Sequence, residues 1–128
     1  MKVKQIEAFE RITLRENGMR GSTEYEIISH GDTAEVVQYG IRFRYPDDER
    51  IAERQATVSI DEALALLNSC RLLSWDGFHG AHPRGVKDGI MFSFRAVVNG
   101  GTVIKAEGSQ NFPKHYRDFR DGIYEMLK

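Results

Sequence analysis

Scarcity is the first property of this 128-residue sequence: one cysteine, one tryptophan, no excess of charge of either sign and no long apolar run. The single thiol, Cys70, excludes a disulfide within the chain and fits a reducing compartment. Eighteen basic residues against nineteen acidic ones leave a formal net charge of -1. No bulk positive field therefore draws the chain to phosphate backbones, and nucleic acid is an unfavoured partner. The longest apolar runs, such as residues 63–67, fall far short of the roughly 20 residues of a membrane span, and the first four residues lead into no apolar signal core. These absences point to a cytoplasmic protein without membrane attachment. The glycine-rich signatures G-x-x-x-x-G-K-[ST] and G-x-G-x-x-G are missing as well, so no cofactor is expected.

What is present is the material for one ordinary core. A hydrophobic content of 41%, with 29% charged residues and 10% aromatics, describes a globular domain, and the length suits a single domain spanning residues 1–128. Ile6, Ala8, Ile12 and Leu14 alternate with polar residues and predict a first strand. An apolar run at residues 25–29 and another from Ala34 flank His30 to Thr33, which predicts a hairpin. In the next strand Val37, Tyr39, Ile41, Phe43 and Tyr45 fall on one side, with Gln38, Gly40, Arg42 and Arg44 on the other. The charged run Asp47-Asp48-Glu49-Arg50 reads as a solvated loop tip, and alternation from Arg54 to Ile60 predicts a fourth strand.

Ser59-Ile60-Asp61-Glu62 matches the S-x-x-E capping box and opens a helix whose stripe is Ala63, Leu66, Leu67 and Cys70, continuing to Leu73 or Ser74, with Asn68 and Arg71 on its exposed side. Ile90 to Val98 alternates, Asn99-Gly100-Gly101 turns, and residues 102–107 return, a second hairpin. Pro113 suits the first turn of a last helix with Phe112, Tyr116, Phe119, Ile123 and Leu127 on its buried stripe. The order ββββαββα, with short connections, predicts an α+β fold: an antiparallel sheet of about six strands with two helices on one face. Gln38, Arg42, Arg44, Gln55, Thr57, Ser93 and Arg95 are expected on the open face.

Trp75-Asp76-Gly77-Phe78 followed by Asp88-Gly89, a strand and a hairpin, then Glu107-Gly108-Ser109-Gln110-Asn111-Phe112-Pro113 and Phe119, form a pattern over roughly residues 72–127. It resembles small uncharacterised proteins of Gram-positive bacteria, in which a Trp and an Asp-Gly precede a hairpin and a Gly-Ser-x-Asn-aromatic-Pro element opens the last helix. The resemblance implies the fold and transfers no catalytic residue.

Residues 74–89 gather the only tryptophan, two of the four histidines and several glycines, the composition of a functional loop. Asp76, His79 and His82 have a spacing at which two imidazoles and a carboxylate meet one divalent metal, although structural zinc takes four ligands and this loop lacks a helix to orient the rings. Cys70 with His79 or His82 as base makes a thiol nucleophile on paper, yet its place on an apolar stripe is that of a small hydrophobe. Gly108-Ser109-Gln110-Asn111, near Lys114 and His115, offers either an anion site or simply helix caps. Trp75 and Phe78 either stack on a ligand or plug the gap between helix and strand. Arg71, Arg84, Lys87 and Arg95 outnumber Asp76 and Asp88 and favour an acidic ligand. Arg42, Arg44 and Arg95 form a basic stripe diluted by Glu53 and Glu107, without the exposed aromatics of a nucleic-acid module.

The expected function is a non-enzymatic binding or protein-interaction domain using the 75–88 loop together with the turn at 108–111. Its contacts are Trp75, Asp76, Phe78, His79, His82, Arg84, Lys87, Ser109 and Asn111, and its partners are an unknown protein or small anionic ligand, with a homodimer as a further option. The alternative is a small metal-dependent hydrolase using Asp76, His79 and His82, with Arg84 or Lys87 holding an anionic substrate.

Overall fold

The computed structural model describes residues 5–18, 21–42, 46–81, 84 and 89–128. In chain order they form β1 (Phe9–Gly18), β2 (Gly21–His30), β3 (Thr33–Arg42), β4 (Glu49–Ser59), α1 (Ile60–Ser69), a 3-10 turn (Leu72–Trp75), β5 (His79–Gly80), β6 (Met91–Val98), β7 (Thr102–Ser109) and α2 (Tyr116–Met126). The strands make one sheet in the order β4-β3-β2-β1-β6-β7-β5. Every pairing is antiparallel except β5 with β7. The α+β class and the two hairpins appear where the sequence predicts them. Gly31 (φ 72) turns the first hairpin, and Asn99 (φ 48) with Gly100 (φ 75) turns the second. The strand count rises to seven because β5 is two residues long, too short for any alternation to register.

Register shows how one face became the core. Leu14 stands opposite Tyr25 and Phe94, and Ile12 stands opposite Ile27 and Ala96. Ile27 faces Val36, which faces Ala56, while Ala96 faces Ile104. These side chains join Ala63, Leu67 and Cys70 of the α1 segment and Tyr116, Phe119 and Ile123 of α2 in one buried cluster, so both helices cover the same face.

Strand β3 inverts the expected facing. Ala34 and Val36 point to the helices, whereas Val37, Tyr39 and Ile41 share the opposite face, and Gln38 shares the helix side. Arg42, four residues further along the same alternation, leaves the open face with Gln38. The strand is apolar on both sides around residues 36 and 37, so alternation alone chooses no face and the helix layer decides. Gln55, Thr57, Ser93 and Arg95 take the expected open face, while Phe43, Arg44 and Tyr45 lie outside the described residues.

The cap at Ser59 forms as predicted, its hydroxyl accepting the Glu62 amide at 3.1 Å. The stripe beyond it does not continue to residue 74. Arg71 (φ 53) breaks the helix, and the 3-10 turn buries Leu72 and Trp75 instead. Asn68, expected on the exposed side, is half-buried and brackets the Ile6 backbone, accepting its N–H at 2.8 Å and donating to its carbonyl at 3.0 Å. Asn99 holds the same segment from the other hairpin, accepting from Glu7 at 2.7 Å and donating to Gln5 at 3.1 Å. Helix α2 begins at Tyr116, not at Pro113. The chain passes through a left-handed His115 (φ 70), no side chain caps the helix, and the Tyr116 amide donates to the Pro113 carbonyl at 3.2 Å. Ser109 and Asn111 are therefore not caps.

Candidate functional site

Trp75 anchors the glycine-rich segment. Its indole N–H donates to the Lys114 carbonyl at 3.0 Å, and its ring packs on Phe94 (5.0 Å between centroids), Phe119 (5.6 Å) and Tyr116 (5.9 Å). At 1% exposure Trp75 offers nothing to a partner, and of its two sequence readings the plug is the one realised. The chain then runs along the outer edge of β7. The Lys105 amide donates to Asp76 Oδ1 at 3.0 Å, the Gly77 amide to the Lys105 carbonyl at 2.9 Å, and the Glu107 amide to the Phe78 carbonyl at 3.1 Å. Gly77 (φ 82) makes the bend that this path requires.

Past that edge the loop meets the turn after β7. Gly80 stands opposite Gly108, and a Cβ on Gly80 would lie 2.5 Å from the Asn111 carbonyl oxygen. Gln110 closes the turn on the other side, its amide donating to the Ile90 carbonyl at 2.8 Å and its side-chain oxygen accepting the Ile90 amide at 2.9 Å. Asn111 is exposed and Ser109 half-buried. Phe78 is half-buried with its ring 6.1 Å from that of Phe92, His79 is exposed with Nδ1 3.2 Å from Glu107 Oε1, and Arg84 is exposed. His82 and Lys87 lie outside the described residues. Asp76 and His79 each already have a protein partner. Among the described residues no group of three or more His, Cys, Asp or Glu side chains gathers as a metal site would require.

The nucleophile option is closed by burial. Cys70 is 1% exposed, and desolvation pushes its thiol above the usual range. The Ser69 hydroxyl lies 3.9 Å from its sulfur. The described histidines face carboxylates: His30 with Glu35 at 3.9 Å, His79 with Glu107 at 3.2 Å, His115 with Asp118 at 3.2 Å.

Between the loop edge and the open sheet face lies a cleft of ≈ 530 Å³. Gly77, Phe78 and His79 form its wall, and two cross-strand rows form its floor. One row runs Lys105, Arg95, Thr13, and the next runs Glu107, Ser93, Arg15, Glu24. Such a volume suits a small molecule or one protruding side chain.

A buried charge network that sequence reading missed borders this cleft. Glu24 and Glu26 are 8% and 4% exposed, on the face opposite the helices. Arg50 Nη1 lies 2.5 Å from Glu24 Oε2 and 3.6 Å from Glu26 Oε1, and its guanidinium sits 4.5 Å over the Tyr39 ring. Arg11 approaches Glu26 at 3.5 Å, and Arg15 approaches Asp48 at 3.6 Å. The charged run at 47–50 is thus not a free loop tip: Arg50 belongs to β4 and Asp48 to an ion pair. The available signal was Glu24-Tyr25-Glu26-Ile27, two acids at strand spacing on the face that the apolar residues leave.

On the helix side, Glu16 accepts from the Tyr116 hydroxyl at 2.5 Å and from Arg120 at 3.4 Å, and the Tyr25 and Tyr124 hydroxyls meet at 2.8 Å. Desolvation, then hydrogen bonding, holds the Tyr25 and Tyr116 phenols far above their ordinary range. These groups tie α2 to the sheet.

Fold and cleft together define an α+β domain with one helix-covered sheet face and a cleft on the other. No family model matches the chain, and no curated protein or solved structure matches it either.

Proposed function

We propose that this chain is a non-enzymatic binding domain whose receiving surface is the cleft between the Gly77–His79 edge and the open face of β1, β6 and β7. The cleft of ≈ 530 Å³ carries the reading, because its wall is laced to β7 by backbone hydrogen bonds and its floor is a paired sheet. A cavity on rigid elements can bind without first paying to order them. This moves the recognition surface from the whole 75–88 loop to its first part, Phe78 and His79, with strand residues added.

Nuclear magnetic resonance with a small-fragment mixture tests the reading. Fragments should shift the amides of Thr13, Ser93, Lys105 and Gly77 together, and Ser93→Trp, which fills the floor, should abolish those shifts in a folded protein. Shifts that cluster elsewhere, or that survive Ser93→Trp, would overturn it. Elemental analysis of wild type and His79→Ala addresses the metal-hydrolase alternative: stoichiometric metal in the wild type, lost in the variant, would replace the binding reading.

A further inference from the structure

Six ionisable side chains line the cleft: Arg15, Glu24, His79, Arg95, Lys105 and Glu107. Four of them have partners, Arg15 with Asp48, Glu24 with Arg50, and His79 with Glu107. Arg95 and Lys105 have no side-chain hydrogen bond or ion pair among the described residues, and both are exposed. They are also direct cross-strand partners in the β6–β7 ladder. Directly opposed like charges destabilise a sheet pair, and neighbouring cross-strand side chains sit about 5 Å apart at Cβ. Two cations in that position, while Arg15 and Glu24 are held in ion pairs and Glu107 sits beside the His79 ring, form a local conflict that a bound anion would relieve. Thr13, Ser93 and Gly77 complete the floor and edge, and the half-buried Phe78 adds an aromatic ring to the wall, whereas the side chains of Phe94 and Ala106 belong to the helix-side core.

We infer that the cleft binds a small amphipathic anion, its phosphate or carboxylate head held between Arg95 and Lys105 and its apolar body against the Phe78 wall. The inference rests on the binding reading above and names the ligand class for the same cleft. The guanidinium of Arg95 supplies a planar fork for two oxygens of one head group, and the Lys105 ammonium supplies a mobile point charge beside it.

Three probes with the same ring separate the contributions: phenyl phosphate, benzoate and benzyl alcohol, titrated into the whole chain with amide shifts as readout. Phenyl phosphate or benzoate should bind about tenfold or more tightly than benzyl alcohol, the size expected of a charge-assisted contact. The stronger of the two identifies the head group. Lys105→Glu and Arg95→Glu should each erase that preference while leaving benzyl alcohol binding unchanged, and 0.5 M salt should weaken the anions alone. Lys105→Glu should also raise the melting temperature, because it turns a repulsive pair into an attractive one; a merely structural lysine would give a fall. Equal binding of all three probes in wild type and variants would overturn the anion site and leave the cleft reading intact. Shifts from none of the three at the cleft would remove both.

Discussion

Glu24 and Glu26 are carboxylates buried on the sheet face away from the helices, a position that would be costly if Arg50 and Arg11 did not reach them. Arg50 is itself half-exposed at 47%, so solvent screening discounts the pair. Arg50→Ala should still cost about 1–2 kcal/mol, because two buried acceptors lose their shared donor, and urea unfolding should show it as a lower midpoint. Arg84→Ala, at an exposed position, should stay within about 0.5 kcal/mol of wild type and serves as the control. Gly108 carries a steric demand instead. A Cβ there would strike the Asn111 carbonyl and lie 2.7 Å from the Phe92 ring, so Gly108→Ala should cost about 1–3 kcal/mol by overpacking. Amide exchange at Glu107, whose N–H donates to Phe78, should quicken in that variant if β5 lifts from β7. At this scale the loop's composition was legible and its roles were not. Asp76 and His79 looked like ligands because residue type and spacing resemble a metal site; the backbone path spent one on the Lys105 amide and set the other beside Glu107.

Elements divide by whether their signal is local. The two hairpins were readable because Gly31 and Asn99-Gly100 meet the turn's demand for positive φ within two or three residues. The start of α1 was readable for the same reason, and Ser59→Ala should lower stability by about 1 kcal/mol. Asn111→Ala makes the contrast. Since α2 starts at Tyr116 without a side-chain cap, this substitution should leave its helicity unchanged, and circular dichroism with thermal melting compares the two variants. Equal losses in both would show that the turn at 108–111 does cap α2. The facing of β3, the short β5 and the break at Arg71 were beyond local reading. Each is set by what lies across from it: the helix layer over Val36, the β7 edge beside Gly80, and the aromatic cluster that receives Trp75.

The whole molecule is one helix layer on one sheet, and its pH response follows from what that layer buries. Cys70, Tyr25 and Tyr116 hold their protons in the folded state beyond the pH at which the unfolded chain releases them. Above about pH 9 for the thiol and about pH 10 for the phenols, the unfolded state therefore binds fewer protons than the native one, and stability must fall as pH rises. Each tyrosine contributes a slope of about 1.4 kcal/mol per pH unit in that range. The melting temperature should thus drop steeply above pH 10, Tyr116→Phe should flatten the drop, and tyrosinate absorbance should appear in step with unfolding. A flat melting temperature to pH 11 would contradict the buried Tyr116–Glu16 and Tyr25–Tyr124 contacts. By itself the sequence determined composition, the α+β class, the hairpin turns and the apolar stripe of α2, because these depend on neighbours within a few residues along the chain. Only the tertiary structure decided which face of β3 goes inward, that Arg50 serves Glu24, and that Arg95 and Lys105 share a cleft with Phe78. Those outcomes join residues distant along the chain, 26 positions for Arg50 and Glu24, and only strand register brings such residues together.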